Sequence, residues 1–245
     1  MVSVHDAFSI LKNSLPEYKE VQYTLLQARN HVLSQAINSP VNMPPFRQSA
    51  MDGFALCLHD TLEYDIIGEV KAGDTHQMTL LPGQAIKIFT GAAVPDSAQA
   101  VIQIEKTSVK EGIVYLQEQP KSGVNVRPIG EQISEGDLAL EKGTLLNAAA
   151  IGFLAGLGFT SVMVYKKPTI GIVITGNELV KPGSTLKYGK VYESNAIMLR
   201  SALNDAYFDA ITLYEVNDDF ENTKNKLHDA LSANDVVLVS GGISV

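Results

Sequence analysis

The feature that most constrains this chain is the segment after Pro168. TIGIVIT (169–175) is an uncharged apolar run, too short for an ordinary helix, and it reads as a strand buried on both faces. SNAIMLRSALNDA (194–206) follows as a helix, with Ser194 or Asn195 as its cap. DAITLYEV (209–216) is a second strand, NDDFENTKNKLHDALSAN (217–234) a second helix, and DVVLVS (235–240) a third strand. Strands separated by helices of this length imply parallel pairing with right-handed crossovers. In such sheets, ligands sit beyond the carboxyl ends of the strands. The sequence ends at GGISV (241–245), inside the loop where chemistry is expected. A three-stranded parallel sheet is small, so the expectation is a portion of a longer protein. The intact mass of the natively expressed protein, set against 26.4 kDa for this chain, checks that expectation.

The texture upstream is different. Val4, Ala7, Phe8 and Leu11 follow helical spacing, which predicts a short amphipathic helix over 4–13. EVQYTLLQARNHVLSQAI (20–37) reads as helix by propensity, with its β-branched and aromatic residues leaving strand open. Pro40, Pro44 and Pro45 then interrupt the chain. From Ser49 to Ile133, short apolar runs (FALCL, YDIIGEV, AIKIF, AVIQIE, GIVYLQ) alternate with glycine, proline and aspartate turn signals. This is the pattern of a small all-β domain. Asn147 is placed to cap a helix that stops at Gly156 or Gly158, and TSVMVYKKP (160–168) is a strand running into proline. The segments divide as flanking parts at 1–39 and 133–166, a β-rich insert at 40–132, and an α/β part at 167–245.

Charge and composition narrow the function. The net charge is −8, and no cluster of Lys or Arg exceeds two neighbours, so the footprint of a nucleic-acid binder is missing. The most apolar stretch, 148–159, carries three glycines and falls short of the ~20 residues needed to cross a bilayer. The N-terminus lacks the form of a signal peptide. Cys57 is the single cysteine, which excludes an intrachain disulfide and any multi-cysteine metal site; a reducing cytoplasm is the expected setting. The five histidines show no metal-ligand spacing. An acidic chain that handles an anionic ligand needs local help from backbone amides, helix N-termini or a bound cation.

Several polar residues have both a structural and a functional reading. Asp52 in MDGF is either an Asp-Gly turn or an acid placed to bind a metal or position a proton. Thr90 and Gly91 form either a plain turn or a hydroxyl with backbone amides offered to an oxyanion. Glu178 is either a carboxylate in a helix first turn or a group at the ligand-facing end of the sheet. Asp218 and Asp219 suit a helix cap and first turn. The loop containing Ser240, Gly241, Gly242 and Ser244 is either a strand-ending turn or a cradle of N–H groups for a phosphate. Arg127 and Lys187 are surface charges or anion contacts.

SAMDGFAL (49–56), IFTGAAVPDSAQAVIQIE (88–105), NVRPIGEQISEGD (125–137), ITGNEL (174–179) and VSGGISV (239–245) occur in this order. Together they resemble the molybdopterin molybdenumtransferase family of the MoeA type, which includes the gephyrin E domain. The resemblance covers essentially the whole chain. It implies a mixed α+β and α/β multi-domain fold: an elongated homodimer whose subunits carry a split linker domain, an inserted β-rich domain and a molybdopterin-binding βαβαβ domain. Here that last domain is cut short, and the family's C-terminal β domain is absent. The implied reaction inserts molybdate into adenylylated molybdopterin and releases AMP, with Mg2+ present, in molybdenum cofactor biosynthesis. The implied partners are those two substrates, a second subunit and the molybdopterin adenylyltransferase, with no nucleic acid and no membrane.

The resemblance makes Asp52, Thr90, Glu178 and Asp218 catalytic. Gly91, Thr175, Gly176, Asn195, Ser240, Gly241, Gly242 and Ser244 become substrate-binding. Asn177 stands where the family usually has Asp or Ser. Glu178 and Asp218 fall at adjacent strand ends, where a carboxylate pair suits Mg2+ through hard oxygen ligands. The family's site is thought to join the β-rich part of one subunit to the α/β part of the other, and further residues lie beyond GGISV, so this chain alone is expected to be inactive. The rival reading is a non-catalytic molybdopterin- or nucleotide-binding scaffold module. A kinship with the competence-damage proteins, which share only the α/β domain, is disfavoured because MDGFAL and TGAAVP lie outside it.

Overall fold

The structure, a computed structural model, describes residues 2–15, 17–76 and 78–241. Helix α1 spans Val4–Asn13, followed by β1 (Glu20–Thr24), α2 (Leu25–Ala28) and β2 (Ile37–Asn38). Next come β3 (Gln48–Ser49), β4 (Gly53–Leu56), β5 (Glu63–Val70), β6 (Gln84–Ile88) and β7 (Ala100–Gln103). After one 3-10 turn at Ile104–Lys106 come β8 (Thr107–Lys110), β9 (Ile113–Leu116), β10 (Val126–Arg127) and β11 (Leu138–Leu140). Then follow α3 (Ala148–Gly156), β12 (Ser161–Tyr165), β13 (Ile170–Thr175), β14 (Leu179–Val180) and β15 (Val191–Tyr192). The last elements are α4 (Asn195–Asp205), β16 (Ile211–Val216), α5 (Phe220–Ala233) and β17 (Val236–Ser240). No helix among the described residues is long and apolar enough to cross a membrane. The elements fall into two compact units, one of residues 1–34, 145–151 and 160–245, the other of residues 35–144 and 152–159.

The second unit is built on a six-stranded sheet in the order β7-β4-β6-β5-β9-β8, with β5 and β6 parallel and the other pairs antiparallel. All four residues of β4 are buried. Phe54 and Leu56 join a cluster with Tyr64, Ala85, Ile102 and Val114, while Ala55 and Cys57 join another with Ile86, Ile88, Ala92 and Val101. Alternation along the strand therefore feeds two apolar layers, which is why FALCL carries no polar side. The expected runs all form strands. The sixth strand of this sheet, β8, gives no signal in the sequence because three of its four residues are exposed and it shows no apolar alternation. It pairs with β9 across a two-residue loop, Glu111 (φ 53°) and Gly112 (φ 81°), both left-handed as a primed hairpin turn requires.

In the first unit, β1 pairs antiparallel with β12. The ambiguous segment 20–37 thus resolves as strand β1, the short helix α2, irregular chain and the first residue of β2, since tertiary pairing overrides its helical propensity. α1 forms over the expected residues, with the Ser3 hydroxyl oxygen accepting the Asp6 N–H; none of its residues is buried. The α/β sheet has the order β16-β13-β17, parallel throughout, with the wholly buried β13 at its centre. Ile172 and Ile174 pack with Ala196, Leu199 and Leu203 of α4. The expected side-chain cap of α4 is replaced: Ser194 occupies the cap position without a side-chain bond, and Glu193 Oε1 accepts the Ala196 N–H at 2.8 Å. Of the two acids expected as a cap and first-turn pair, Asp219 is the cap of α5, accepting the Asn222 N–H at 2.9 Å, and Asp218 lies before the helix. The Asn147 side chain accepts the Ala150 N–H at the start of α3, as anticipated.

Close approach of β4 to β7 depends on Gly53, where an added Cβ would lie 1.8 Å from the Ile102 carbonyl oxygen. At Gly68 it would meet only the far end of the Met78 side chain, at 2.8 Å. Gly53→Ala is expected to lower stability by about 3 kcal/mol, and Gly68→Ala by less than about 1 kcal/mol, because a backbone must move in one case and a thioether in the other. Urea unfolding of the two variants checks the contrast.

Candidate functional site

The sequence candidates fall into two groups, one in each compact unit. In the β-rich unit, antiparallel pairing of β4 with β6 sets Gly53 opposite Ile88, bringing the residue before β4 beside the turn after β6. Asp52 Oδ1 there accepts both Thr90 donors, the N–H at 2.7 Å and the hydroxyl at 2.8 Å. The buried Ser49 ties the two loops further: its N–H reaches the Ala92 carbonyl and its own carbonyl accepts the Gly91 N–H, each at 2.9 Å. Gly91, at φ 86°, makes the turn. Asp52 and Thr90 are both exposed. The two Thr90 hydrogen bonds hold the Asp52 carboxyl below its ordinary value, the backbone bond being the larger cause. A carboxylate so held is a weak base near neutral pH; it suits accepting a hydrogen bond or facing a cation.

The second group lies at the carboxyl ends of β13, β16 and β17. Thr175 closes β13 opposite Val216 and is buried. Gly241, just past β17, sits so close that a Cβ there would lie 2.5 Å from Thr175 Oγ1 and 2.8 Å from its carbonyl oxygen. Asn195, in the first turn of α4, donates from Nδ2 to Ser240 Oγ at 2.9 Å. Thr175, Asn195, Ser240 and Gly241 are therefore gathered in one place. Glu178 lies in a turn leading into β14; it is not in a helix, so its reading as a first-turn helix carboxylate falls away. Its carboxylate oxygens lie 2.9 and 3.0 Å from where a Gly176 side chain would begin, so Gly176 makes room for them. Asp218 is linked to the same loop, its N–H donating to Asn177 Oδ1 at 3.1 Å. Glu178 and Asp218 are both exposed. Gly242 and Ser244 lie outside the described residues.

Two residues matter here that sequence reasoning undervalued. Asn177, noted only as a departure, joins the β13 loop to the start of the loop before α5; Asp or Ser could supply the same acceptor. Lys190 donates to the Asn177 carbonyl and so places an ammonium at this loop. The short parallel pairing of β14 with β15 sets Leu179 opposite Val191 and brings that lysine in, a pairing too brief to show in the sequence. Arg127 lies in β10 opposite Gln48, and Lys187 is exposed. Among the described residues no group of three or more His, Cys, Asp or Glu is arranged to hold a metal ion. Glu178 and Asp218 offer hard carboxylate oxygens, the donor type that Mg2+ takes.

The Asp52 clasp has a counterpart. Asp235 Oδ2 accepts the Thr169 N–H and hydroxyl, both at 2.9 Å, at the amino-terminal ends of β13 and β17. Those bonds lower its carboxyl too, with Lys19 and Lys166 adding smaller contributions. Thr90→Val removes one of the two Asp52 bonds, so the Asp52 carboxyl is expected to titrate at higher pH, still below a free aspartate. Thr169→Val is expected to do the same to Asp235. Carbon-detected NMR titration of the carboxyls reads both. A depressed folded value stabilises above the unfolded pKa and is lost as pH falls through the folded pKa. The stability gap between wild type and Thr90→Val should therefore be full near neutrality and close in acid.

Residues 2–158 match the MoeA N-terminal region (domain I and II), and residues 171–245 match a "probable molybdopterin binding domain". All of the chain aligns with the molybdopterin molybdenumtransferase of Haemophilus influenzae at 34% identity, covering 62% of that protein. It aligns with the Staphylococcus epidermidis molybdopterin molybdenumtransferase at 32% identity, covering 60%. The chain thus spans about 60% of the length of these relatives. The crystal structure of the molybdopterin biosynthesis MoeA protein of Pyrococcus horikoshii superposes over 100% of this chain and 67% of its own, with a TM-score of 0.88 and 32% identity. With both matched regions in the family's order and carrying the clasp and strand-end loops described above, the chain belongs to the MoeA family.

Proposed function

We propose that this chain is part of a molybdopterin molybdenumtransferase, an enzyme of molybdenum cofactor biosynthesis that inserts molybdate into adenylylated molybdopterin and releases AMP. The relatives' names support the reaction class. The observation that carries the reading is the convergence of Thr175, Asn195, Ser240 and Gly241 at the carboxyl ends of a parallel sheet, where hydroxyl, amide and close-packed backbone suit an anionic ligand. The Lys190 ammonium adds positive charge on the same loop in a chain of net charge −8.

In this reading Glu178 and Asp218 hold Mg2+, which when bound neutralises charge on the diphosphate linkage. Gly241 and Ser240 orient the substrate through hydrogen bonds, and Asn195 fixes the Ser240 hydroxyl. Asp52, held anionic by Thr90, accepts a hydrogen bond or faces a cation; it does not take up a proton at neutral pH. The reading includes a homodimer that brings the two groups together, supply of substrate by the molybdopterin adenylyltransferase, and a cytoplasmic setting.

The test uses the full-length enzyme. Asn195→Ala is expected to weaken binding of adenylylated molybdopterin about three- to tenfold, the scale of one hydrogen bond. Asp52→Asn is expected to leave binding nearly intact and cut turnover at least about tenfold. Turnover unchanged in Asp52→Asn would remove Asp52 from the catalytic residues; absence of any turnover by the wild-type full-length protein would leave only the scaffold reading. For the metal, Glu178→Ala with Asp218→Ala should abolish Mg2+ dependence of turnover; persistence of that dependence would remove both residues from the metal site.

A further inference from the structure

The unit containing the α/β sheet holds a cavity that none of the residues assigned above lines. Its volume is about 520 Å3, within the range of small-molecule pockets. Val236, the first residue of β17, and Pro168 line it, so it opens at the amino-terminal side of the sheet, away from Thr175 and Ser240. Four rings form much of its wall: Tyr18, Tyr165, Tyr207 and Phe208. Tyr18 and Tyr165 lie 5.3 Å apart between centroids, tilted by 52°.

Charge in the lining has one sign. Lys166 and Lys167 line the cavity, and no Asp or Glu does. Lys166 shares the field of nearby Asp235 with Lys19. Lys167 makes no ion pair among the described residues. His31, also in the lining, meets Tyr23 edge to face at 5.1 Å.

The backbone adds an independent sign. Among the described residues, four without a glycine's freedom have positive φ, and two of them, Asn30 (φ 60°) and Tyr207 (φ 66°), line this cavity. Asparagine accepts that conformation readily; tyrosine does not. Tyr207 follows the C-cap of α4, where the Phe208 N–H closes the turn on the Leu203 carbonyl at 2.9 Å. Glycine is the usual residue there. The backbone gains nothing from a tyrosine at this place, whereas the cavity gains a ring.

We propose that this cavity binds a small flat aromatic molecule bearing one anionic group, with its ring among the tyrosines and Phe208 and its anion on Lys167. The site is independent of the transferase reading and stands or falls apart from it.

The probe is 8-anilinonaphthalene-1-sulfonate, titrated by fluorescence into the whole chain, with N-phenyl-1-naphthylamine as its uncharged counterpart. Saturable one-to-one binding of the sulfonate is expected. Tyr207→Gly should weaken it about fivefold, the scale of one aromatic contact, without lowering the unfolding midpoint, because glycine fits the turn. Lys167→Gln should weaken the sulfonate about threefold and leave the neutral probe unchanged. Phe8→Ser, on the exposed face of α1, should change neither. The proposal is overturned if binding is not saturable, if Tyr207→Gly and Lys167→Gln bind like the wild type, or if Phe8→Ser abolishes the signal. It is equally overturned if affinity falls as protein concentration rises, which would assign the cavity to a second copy of the chain.

Discussion

Burial on both faces leaves a strand no direction in which to relax, and two strands of this chain are held that way. Every residue of β4 is buried, and so is every residue of β13. Each has hydrogen-bonded neighbours on both edges, so each is fixed in register as well as in depth. Several candidate residues sit at the ends of these two strands, and the others are bonded or packed against them. Asp52 precedes β4, and Gly176, Asn177 and Glu178 follow β13. Loops anchored this way hold their polar groups in place while those groups remain exposed.

Glycines mark where backbone or side chain must come close. Gly53 lets β4 lie against the Ile102 carbonyl, Gly241 lets the end of β17 meet Thr175, and Gly176 leaves room for the Glu178 carboxylate. These positions fall in MDGF, TGNEL and SGG, the short motifs by which the sequence resembles its family. The motifs are thus partly steric: they record where a Cβ would collide with a neighbour, alongside whatever chemistry the adjoining acids perform.

Much of this fold is legible in the periodicity of the sequence. The β13–β16–β17 sheet, the α1 boundaries, the Asp219 and Asn147 caps and the apolar strands of the β-rich unit are all readable there, because each rests on apolar spacing or a local capping bond. Features that lack apolar spacing, or depend on distant pairing, are not. β8 is nearly all exposed, β14 and β15 have two residues each, and β1 becomes a strand through β12, far along the chain. In the site, the acids are legible as residues beside glycine or at strand ends. Their partners are not: Asn177 reaches Asp218 across 41 positions and Asn195 reaches Ser240 across 45. The Asp52–Thr90 clasp of the β-rich unit recurs in the other unit as Asp235–Thr169, at the amino-terminal ends of β13 and β17. The clasp is therefore a way of pinning two strand ends, and function must be sought in what else the pinned carboxylate faces.

Cys57 has a use that follows from where it lies. It is the chain's single cysteine, 6% exposed, and packed with Ile86, Ile88 and Val101 under the central sheet of the β-rich unit. A thiol reagent can reach it only when that layer opens. The rate of its modification thus clocks the breathing of one unit alone, with the α/β unit silent, and gives a local opening free energy that global unfolding would blend with the rest.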